Sequence, residues 1–389
     1  MTTPAVSLEI AARTDLGRTR DHNEDTFLCA DLTRGVTDFV VDGRAEVGPR
    51  GSLFLVADGM GGAAAGEIAS AMAADIIFQH LRDTWTAGVE DTGDEFIRRL
   101  KESVEVANER IHAYAGQHLD SRGMGTTATV VGLFGRRLHL AQVGDSRAYL
   151  VRRGVTVQLT KDQSLIQRLI DAGELTEEQA AQSERRNIIL QALGPDPRIR
   201  VDVTYQDLIR GDILVICSDG LSGLVKREEI GVTVGEAATV GAGAERLIAT
   251  ANERGGPDNI TVVVVRFDGQ LPESTDEELG YRAYPLPEPE TSGEVVAPVA
   301  PPAAELPPAP PPPAARRGSP VGVAAVVRAA TTAPSTITAI QSRNWETIIS
   351  HASRRVAGSP AIHRAQGRES KIPGRQTRTR SQMALSERK

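Results

Sequence analysis

Apolar residues run nearly unbroken along several short stretches of this chain, and three of those stretches are bordered by Asp and Gly. Leu53 to Ala57 is followed by Asp58-Gly59-Met60-Gly61-Gly62, Ile213 to Cys217 by Ser218-Asp219-Gly220, and Ile260 to Val265 is preceded by Gly255-Gly-Pro-Asp258-Asn259. Continuous apolar runs of this length, closed by turn residues, predict strands buried on both faces. Shorter runs predict further strands at Ser7 to Ala12, Thr26 to Ala30, Gly125 to Phe134, Arg137 to Val143, Arg147 to Val151, Val155 to Leu159, Arg200 to Tyr205 and on to Phe267 at the end of the last one. Two long segments change period. Ala64 to Leu81 and Asp94 to His118 place Ile68, Met72, Ile76 and then Phe96, Leu100, Val104, Ala107, Ile111 at helical spacing.

Shorter helices are expected at Ser164 to Ala172, Thr176 to Gln182, Lys226 to Ile230 and Ala237 to Ala251. The first two interrupt the strand series with an excursion longer than a connection requires, which suits a mobile flap. Residues 31 to 51 read as a polar insertion with turns at Asp42-Gly43 and Gly48-Pro49. Strand-rich halves with paired helices predict an α+β fold of two packed sheets, although periodicity alone equally allows one large sheet.

Composition divides the chain of 389 residues. Residues 1–268 are of mixed globular type and long enough to bury a large core without staples. Residues 269–315 turn acidic and then Pro-rich, predicting an extended linker. From Arg316 onward there are 14 Lys and Arg against three Glu, so a net charge of −7 conceals a remainder near −18. That basic end, 316–389, is expected to be disordered, with Trp345, Ile348 and Ile349 as a hint of a docking motif. An acidic globular part argues against a nucleic-acid surface and accommodates a cation-binding cleft. Cys29 and Cys217 both lie in apolar runs and are expected as buried thiols in a reducing cytoplasm. The N-terminus lacks a basic region followed by an apolar core, and no apolar run approaches the ~20 residues of a membrane span.

The three Asp residues carry the chemistry. One Asp-Gly is an ordinary turn, but buried strands that repeatedly border on Asp need a partner charge or a metal for those carboxylates. Oxygen ligands beside Gly favour Mg²⁺ or Mn²⁺ over zinc.

Taken in order, Gly17-x-x-Arg20-x-x-Asn23-Glu24-Asp25, Asp58-Gly59-Met-Gly61-Gly62, Gly123-Met-Gly125-Thr126-Thr127, Gly144-Asp145-Ser146-Arg147, Cys217-Ser-Asp219-Gly220 and Gly256-Pro-Asp258-Asn259 give the chain a further meaning. In these six collinear motifs, over residues 8 to 267, it resembles the metal-dependent type 2C (PPM) family of serine/threonine protein phosphatases, nearest to bacterial members that oppose Ser/Thr kinases. The resemblance implies a four-layer αββα sandwich with a two-metal cleft and a catalytic domain at 1–268. It implies that Asp58 bridges both Mn²⁺ or Mg²⁺ ions, that the Gly59 carbonyl helps hold the first, and that Asp219 and Asp258 hold the second. Glu24 and Asp25 then bind metal waters, Arg20 grips the substrate phosphate, and Asp145 with Asp219 forms a third site. Arg20, Asp58 and Asp219 are thus the expected catalytic residues, and a metal-activated water is the nucleophile.

A guanidinium suits the phosphate role because it offers paired hydrogen bonds. Two departures from the family pattern stand out: Met60 occupies the place of a His held to be a general acid, and Asn187 that of a flap Ser in the third site. Gly123 to Thr127 is expected to be a structural turn. The expected partners are phosphorylated proteins and Ser/Thr kinases, for a cytoplasmic monomer. The alternatives are a phosphatase dedicated to one regulatory partner, of the sigma-factor switch type, and a non-catalytic phosphoprotein-binding module.

Overall fold

A computed structural model describes residues 6–37, 42–62, 65–88, 91–176, 179–180, 183 and 188–286. The expected tail at 316–389 with its Trp345 motif, the Pro-rich stretch beyond 286, and Asn187 all lie outside the described residues.

The strands form two antiparallel six-stranded arrays whose apolar faces meet. In the first sheet the order is β3 (Gly43–Glu46), β1 (Val6–Asp15), β12 (Ile260–Gly269), β11 (Ile213–Cys217), β8 (Arg147–Arg152) and β9 (Val155–Gln158). In the second it is β10 (Asp202–Asp207), β7 (Arg137–Val143), β6 (Ala128–Phe134), β4 (Ser52–Met60) and β2 (Asp25–Asp31), with β5 (Gly125–Thr126) paired to the end of β4. The central strands show why their apolar runs are unbroken. Val263 and Val265 of β12 face Phe54, Val56 and Val131 of the opposite sheet, while Val262 and Val264 face Ile230, Val234, Ala244 and Leu247 of the outer helices. Period 2 therefore puts an apolar residue on each face.

Those outer helices are α5 (Arg227–Glu236) and α6 (Val240–Glu253), separated from β11 by the short α4 (Asp219–Ser222). The other sheet is covered by α1 (Ala65–Leu81) and α2 (Gly93–Gln117), the latter capped by Thr92, whose side chain accepts from the Glu95 amide at 3.2 Å. The result is the αββα sandwich, and the single-sheet alternative is excluded. A short helix α3 (Leu165–Asp171) opens the excursion between β9 and β10.

Differences from the sequence reading have local causes. The polar insertion hides β3, whose side chains alternate between half-buried and exposed along the sheet edge, so no apolar run announces it. The run Gly125 to Phe134 divides after Thr126 into β5 and β6, because Gly125 and Thr126 turn aside to pair with Met60 and Gly59. Packing also continues past Asp268. Leu271 is buried and Leu279 packs on the intersheet core. The Tyr205 amide donates to Arg282 O at 3.1 Å and the Tyr284 amide to Val203 O at 2.9 Å, so residues 282–284 lie along the outer edge of β10.

His139 on β7 is 1% exposed, its Nδ1 has no hydrogen-bond partner, and its ring packs against Phe96 and Tyr284 at 5.3 and 5.7 Å. Burial, helped by Arg137 and opposed by Asp207 and Asp94, pushes it down to about 4. Its folded value lies below its unfolded one, so the unfolded chain binds the extra proton. The neutral ring therefore contributes stability that is complete above about pH 6.5 and is lost as pH falls toward 4, by up to roughly 3 kcal/mol. Thermal melts of His139→Leu and the parent chain at pH 7.5 and 5 should show the smaller acid loss in the variant. An equal loss in both would remove His139 from the acid response.

Candidate metal centre

The cleft lies where β2, β4, β11 and β12 end together, so each sheet supplies carboxylates to it. Asp25 and Asp58 are register partners on adjacent strands. Asp219 opens α4 directly after β11, and Asp258 precedes β12. Asp219 and Asp58 lie near enough to influence each other's protonation, which brings carboxylates of the two sheets together at this point.

The backbone of Asp58 is held on both sides. Its amide donates to Thr127 Oγ1 at 2.9 Å, and its carbonyl accepts from Thr126 Oγ1 and the Thr127 amide, each at 2.9 Å. Thr127 Oγ1 is in turn 2.8 Å from Ser146 Oγ. Gly59 must be Gly: a Cβ there would lie 2.2 Å from Gly66 O and 2.6 Å from Glu24 O. Asp25 accepts from Ser218 Oγ at 2.8 Å through Oδ2, while its Oδ1 has no partner. Glu24 and Asp145 are 6% exposed; Asp145 Oδ1 lacks a hydrogen-bond partner, and Glu24 Oε1 faces His22 Nε2 at 3.4 Å. The flap is hung beside Asp145: the Gly144 amide donates to Gln163 Oε1, the Leu190 amide to Gln163 O, and the Leu165 amide to Ile188 O.

Electrostatics sets this cluster apart from a structural ion-pair network. Burial and then neighbouring carboxylates push Asp25 and Asp145 up to about 7, and raise Asp58 and Asp219 as well, Asp58 far above the usual carboxylate range. Crowded carboxylates with unpartnered buried oxygens are stable together only when positive charge joins them. The donors are all oxygens, which fits hard divalent cations. Among the described residues no three His, Cys, Asp or Glu side chains converge as a ready-made ligand set. A spread of carboxylates along a cleft suits cations that keep several waters of their own.

At the rim stands Arg20, nearly half exposed, whose Nη2 donates to Asp258 Oδ2 at 2.8 Å. The sequence-based residues Arg20, Glu24, Asp25, Asp58, Gly59, Asp219 and Asp258 therefore meet at one end of the sandwich, and Asp145 faces Asp219 closely enough to be raised by it. Thr126 and Thr127, expected as part of a structural turn into a core strand, also hold the backbone of Asp58, and Ser218 had no expected role. Their signal was faint because a Thr pair or a Ser at a strand end usually reports only local turn chemistry.

Two sheets closing on crowded carboxylates with an arginine at the rim suit metal-dependent phosphate-ester hydrolysis. The family model for protein phosphatase 2C matches residues 38–246. The chain belongs to the protein phosphatase 2C family and is a metal-dependent serine/threonine protein phosphatase. It is 36% identical over 256 residues to the Listeria monocytogenes serine/threonine phosphatase stp, which covers 66% of this chain and 94% of that protein. The crystal structure of the Mycobacterium tuberculosis serine/threonine phosphatase PstP/Ppp superposes with a TM-score of 0.57 at 36% identity, covering 67% of this chain and 99% of that one. A structure of the PstP catalytic domain in complex with two manganese ions gives 0.55 at 36% identity, covering 68% and 99%. Among the described residues no helix is long and apolar enough to cross a membrane.

Proposed function

We propose that Asp58, Asp219, Asp258 and the Gly59 carbonyl hold two Mn²⁺ or Mg²⁺ ions, that Glu24 and Asp25 hold waters of those ions, and that Asp145 with Asp219 offers a third site. When bound, the cation pair neutralises the phosphate dianion and supplies a nucleophilic water at neutral pH. The observation that carries this reading is the crowding of half-buried, mutually repelling carboxylates from both sheets. Arg20 receives the substrate phosphate. Among the described residues its only hydrogen bond goes to Asp258, which leaves most of its fork for phosphate oxygens. Met60 has no proton to give, so the leaving oxygen takes its proton from a group other than this side chain. The substrates are phosphoserine and phosphothreonine on proteins, in opposition to Ser/Thr kinases. The reading includes a cytoplasmic monomer, to which the reduced, buried Cys29 and Cys217 are suited.

The test is hydrolysis of phosphoserine and phosphothreonine peptides with added Mn²⁺. Turnover should stop on chelation and return with Mn²⁺. Arg20→Ala should chiefly raise KM, since the grip acts on ground and transition states alike. A charge-assisted contact of about 1.5–3 kcal/mol corresponds to roughly tenfold to a hundredfold. Activity that survives thorough chelation, or an unchanged kcat/KM in the variant, would overturn the respective assignment.

A further inference from the structure

We infer that Asn259 is the positioning residue of the Arg20 loop, fixing the arginine over the carboxylate cleft. The inference rests on the reading of Arg20 as the phosphate grip. Asn259 is 4% exposed, and its side-chain amide reaches the loop at three points on both sides of Arg20. Nδ2 donates to Leu16 O at 3.0 Å and to His22 O at 3.1 Å, and Oδ1 accepts from the Glu24 amide at 2.9 Å. Two carbonyls facing the NH₂ and one amide facing the oxygen admit a single orientation of the group. All three bonds bridge more than 230 positions of sequence, so the side chain ties the start of β12 to a loop near the N-terminus.

The main chain of the same residue serves the other end of the arrangement. The Asn259 amide donates to Asp258 Oδ1 at 2.8 Å, and Asp258 Oδ2 takes Arg20 Nη2 at the same distance. One residue thus sets both the loop that carries Arg20 and the carboxylate against which Arg20 rests.

The loop needs such a tether. Leu16 is 40% exposed, and loop residues 17–23 are polar or glycine, so little apolar burial fixes their position. What holds the loop is polar and close-fitting. The Arg18 amide donates to Gly256 O at 2.7 Å, and Asn252 Nδ2 donates to Asp15 Oδ1 at 2.9 Å. Gly17, at a φ of 80°, would drive a Cβ to 2.2 Å from Asp258 O. Each of these contacts sits before Arg20, and Asn23 Nδ2 closes the loop on itself by donating to Thr14 Oγ1 at 2.7 Å, whereas Asn259 reaches in from β12 to bond the loop on both sides of Arg20. Losing the amide leaves His22 O and the buried Glu24 amide without partners and lets Arg20 drift. A displacement near 1 Å of a binding group is enough to weaken a phosphate contact substantially.

The experiment is a double-mutant cycle on Asn259→Ala and Arg20→Ala, read by the inhibition constant of inorganic phosphate on the Mn²⁺-loaded enzyme. It is accompanied by phosphopeptide KM and kcat, Mn²⁺ titration calorimetry and thermal melts. Asn259→Ala should weaken phosphate about tenfold in the parent chain and by less than about twofold when Arg20 is already Ala. Equal losses in both backgrounds, or a lowered melting temperature with phosphate affinity unchanged, would show a structural role only and overturn the inference. If Arg20→Ala alone leaves phosphate affinity unchanged, the grip assignment falls and takes this inference with it. Asn259→Asp keeps the acceptor for the Glu24 amide and loses both donors, so it carries the same cycle should the Ala variant fail to fold.

Discussion

Asp58→Asn should reduce phosphopeptide turnover at least about 10³-fold with Mn²⁺ present, while in metal-free buffer the variant melts no lower than the parent chain. The two halves of this expectation follow from different parts of the site. The backbone clamp from Thr126 and Thr127 bonds main-chain atoms of Asp58, so an amide side chain leaves the strand end and β5 in place. The side chain itself is half-buried beside Asp25, Asp219, Asp145 and Asp258, all of which repel its charge. Removing one negative charge from that cluster relieves repulsion in the folded state. On the proposed reading Asp58 would hold both cations, so the amide would withdraw a ligand common to the two, a larger perturbation than loss of one preorganised donor, which already costs about 10²–10³ in rate. Mn²⁺ raises the melting temperature of the parent by binding the folded state, and this increment should shrink in Asp58→Asn. Turnover within tenfold of the parent would exclude Asp58 as the bridge. A much lower metal-free melting temperature would mean that the carboxylate supports the fold, contrary to the crowding seen around it.

The carboxylates were legible in the sequence because each stands where an apolar run meets Gly, a combination of a buried strand and an unpaired charge that packing alone does not favour. Register could not be read in the same way. That Asp25 lies opposite Asp58, and that Asp219 comes near enough to Asp58 to influence it across the sandwich, depends on which strands are neighbours. The supporting side chains were hidden for a related reason. Thr126, Thr127, Ser218 and Asn259 are small polar residues whose partners lie distant in sequence, and nothing local distinguishes them from turn formers. The edges of the fold were the least legible part. Strand β3 and the segment after Asp268 carry few apolar residues, since an edge buries one side at most, and sequence patterns report burial.

That last segment gives the second expectation of large effect. The composition shift placed the end of the catalytic domain at 268, and a chain cut near Gln270 would on that reading be as stable as the whole. We propose instead that the folded domain runs to Leu286. Leu271 is 3% exposed, Leu279 rests on the intersheet core, and Tyr284 packs its ring against His139 and Tyr205 at 5.7 and 5.4 Å. Arg137 and Arg282 lie over the Tyr205 ring at 4.7 and 5.0 Å, and Glu277 pairs with both arginines. Burial of one Leu is worth ~1.5–3 kcal/mol, and each hydrogen bond to the β10 edge about 1 kcal/mol. Allowing for the exposed ion pairs as nearly neutral, the cut should remove roughly 3–5 kcal/mol. For a domain of this size that is about 10 °C in melting temperature. The exposed β10 edge would also offer unpaired amides and carbonyls to other chains, raising the tendency to aggregate. A chain ending at 286 should instead melt with the full-length protein. Below the transition all three should hydrolyse a chromogenic phosphate ester with the same kcat, because none of residues 271–286 reaches the carboxylate cleft. Equal melting of the 270 and full-length chains would return the boundary to Asp268, whereas a depressed melting temperature in the 286 chain as well would move it further along the Pro-rich stretch.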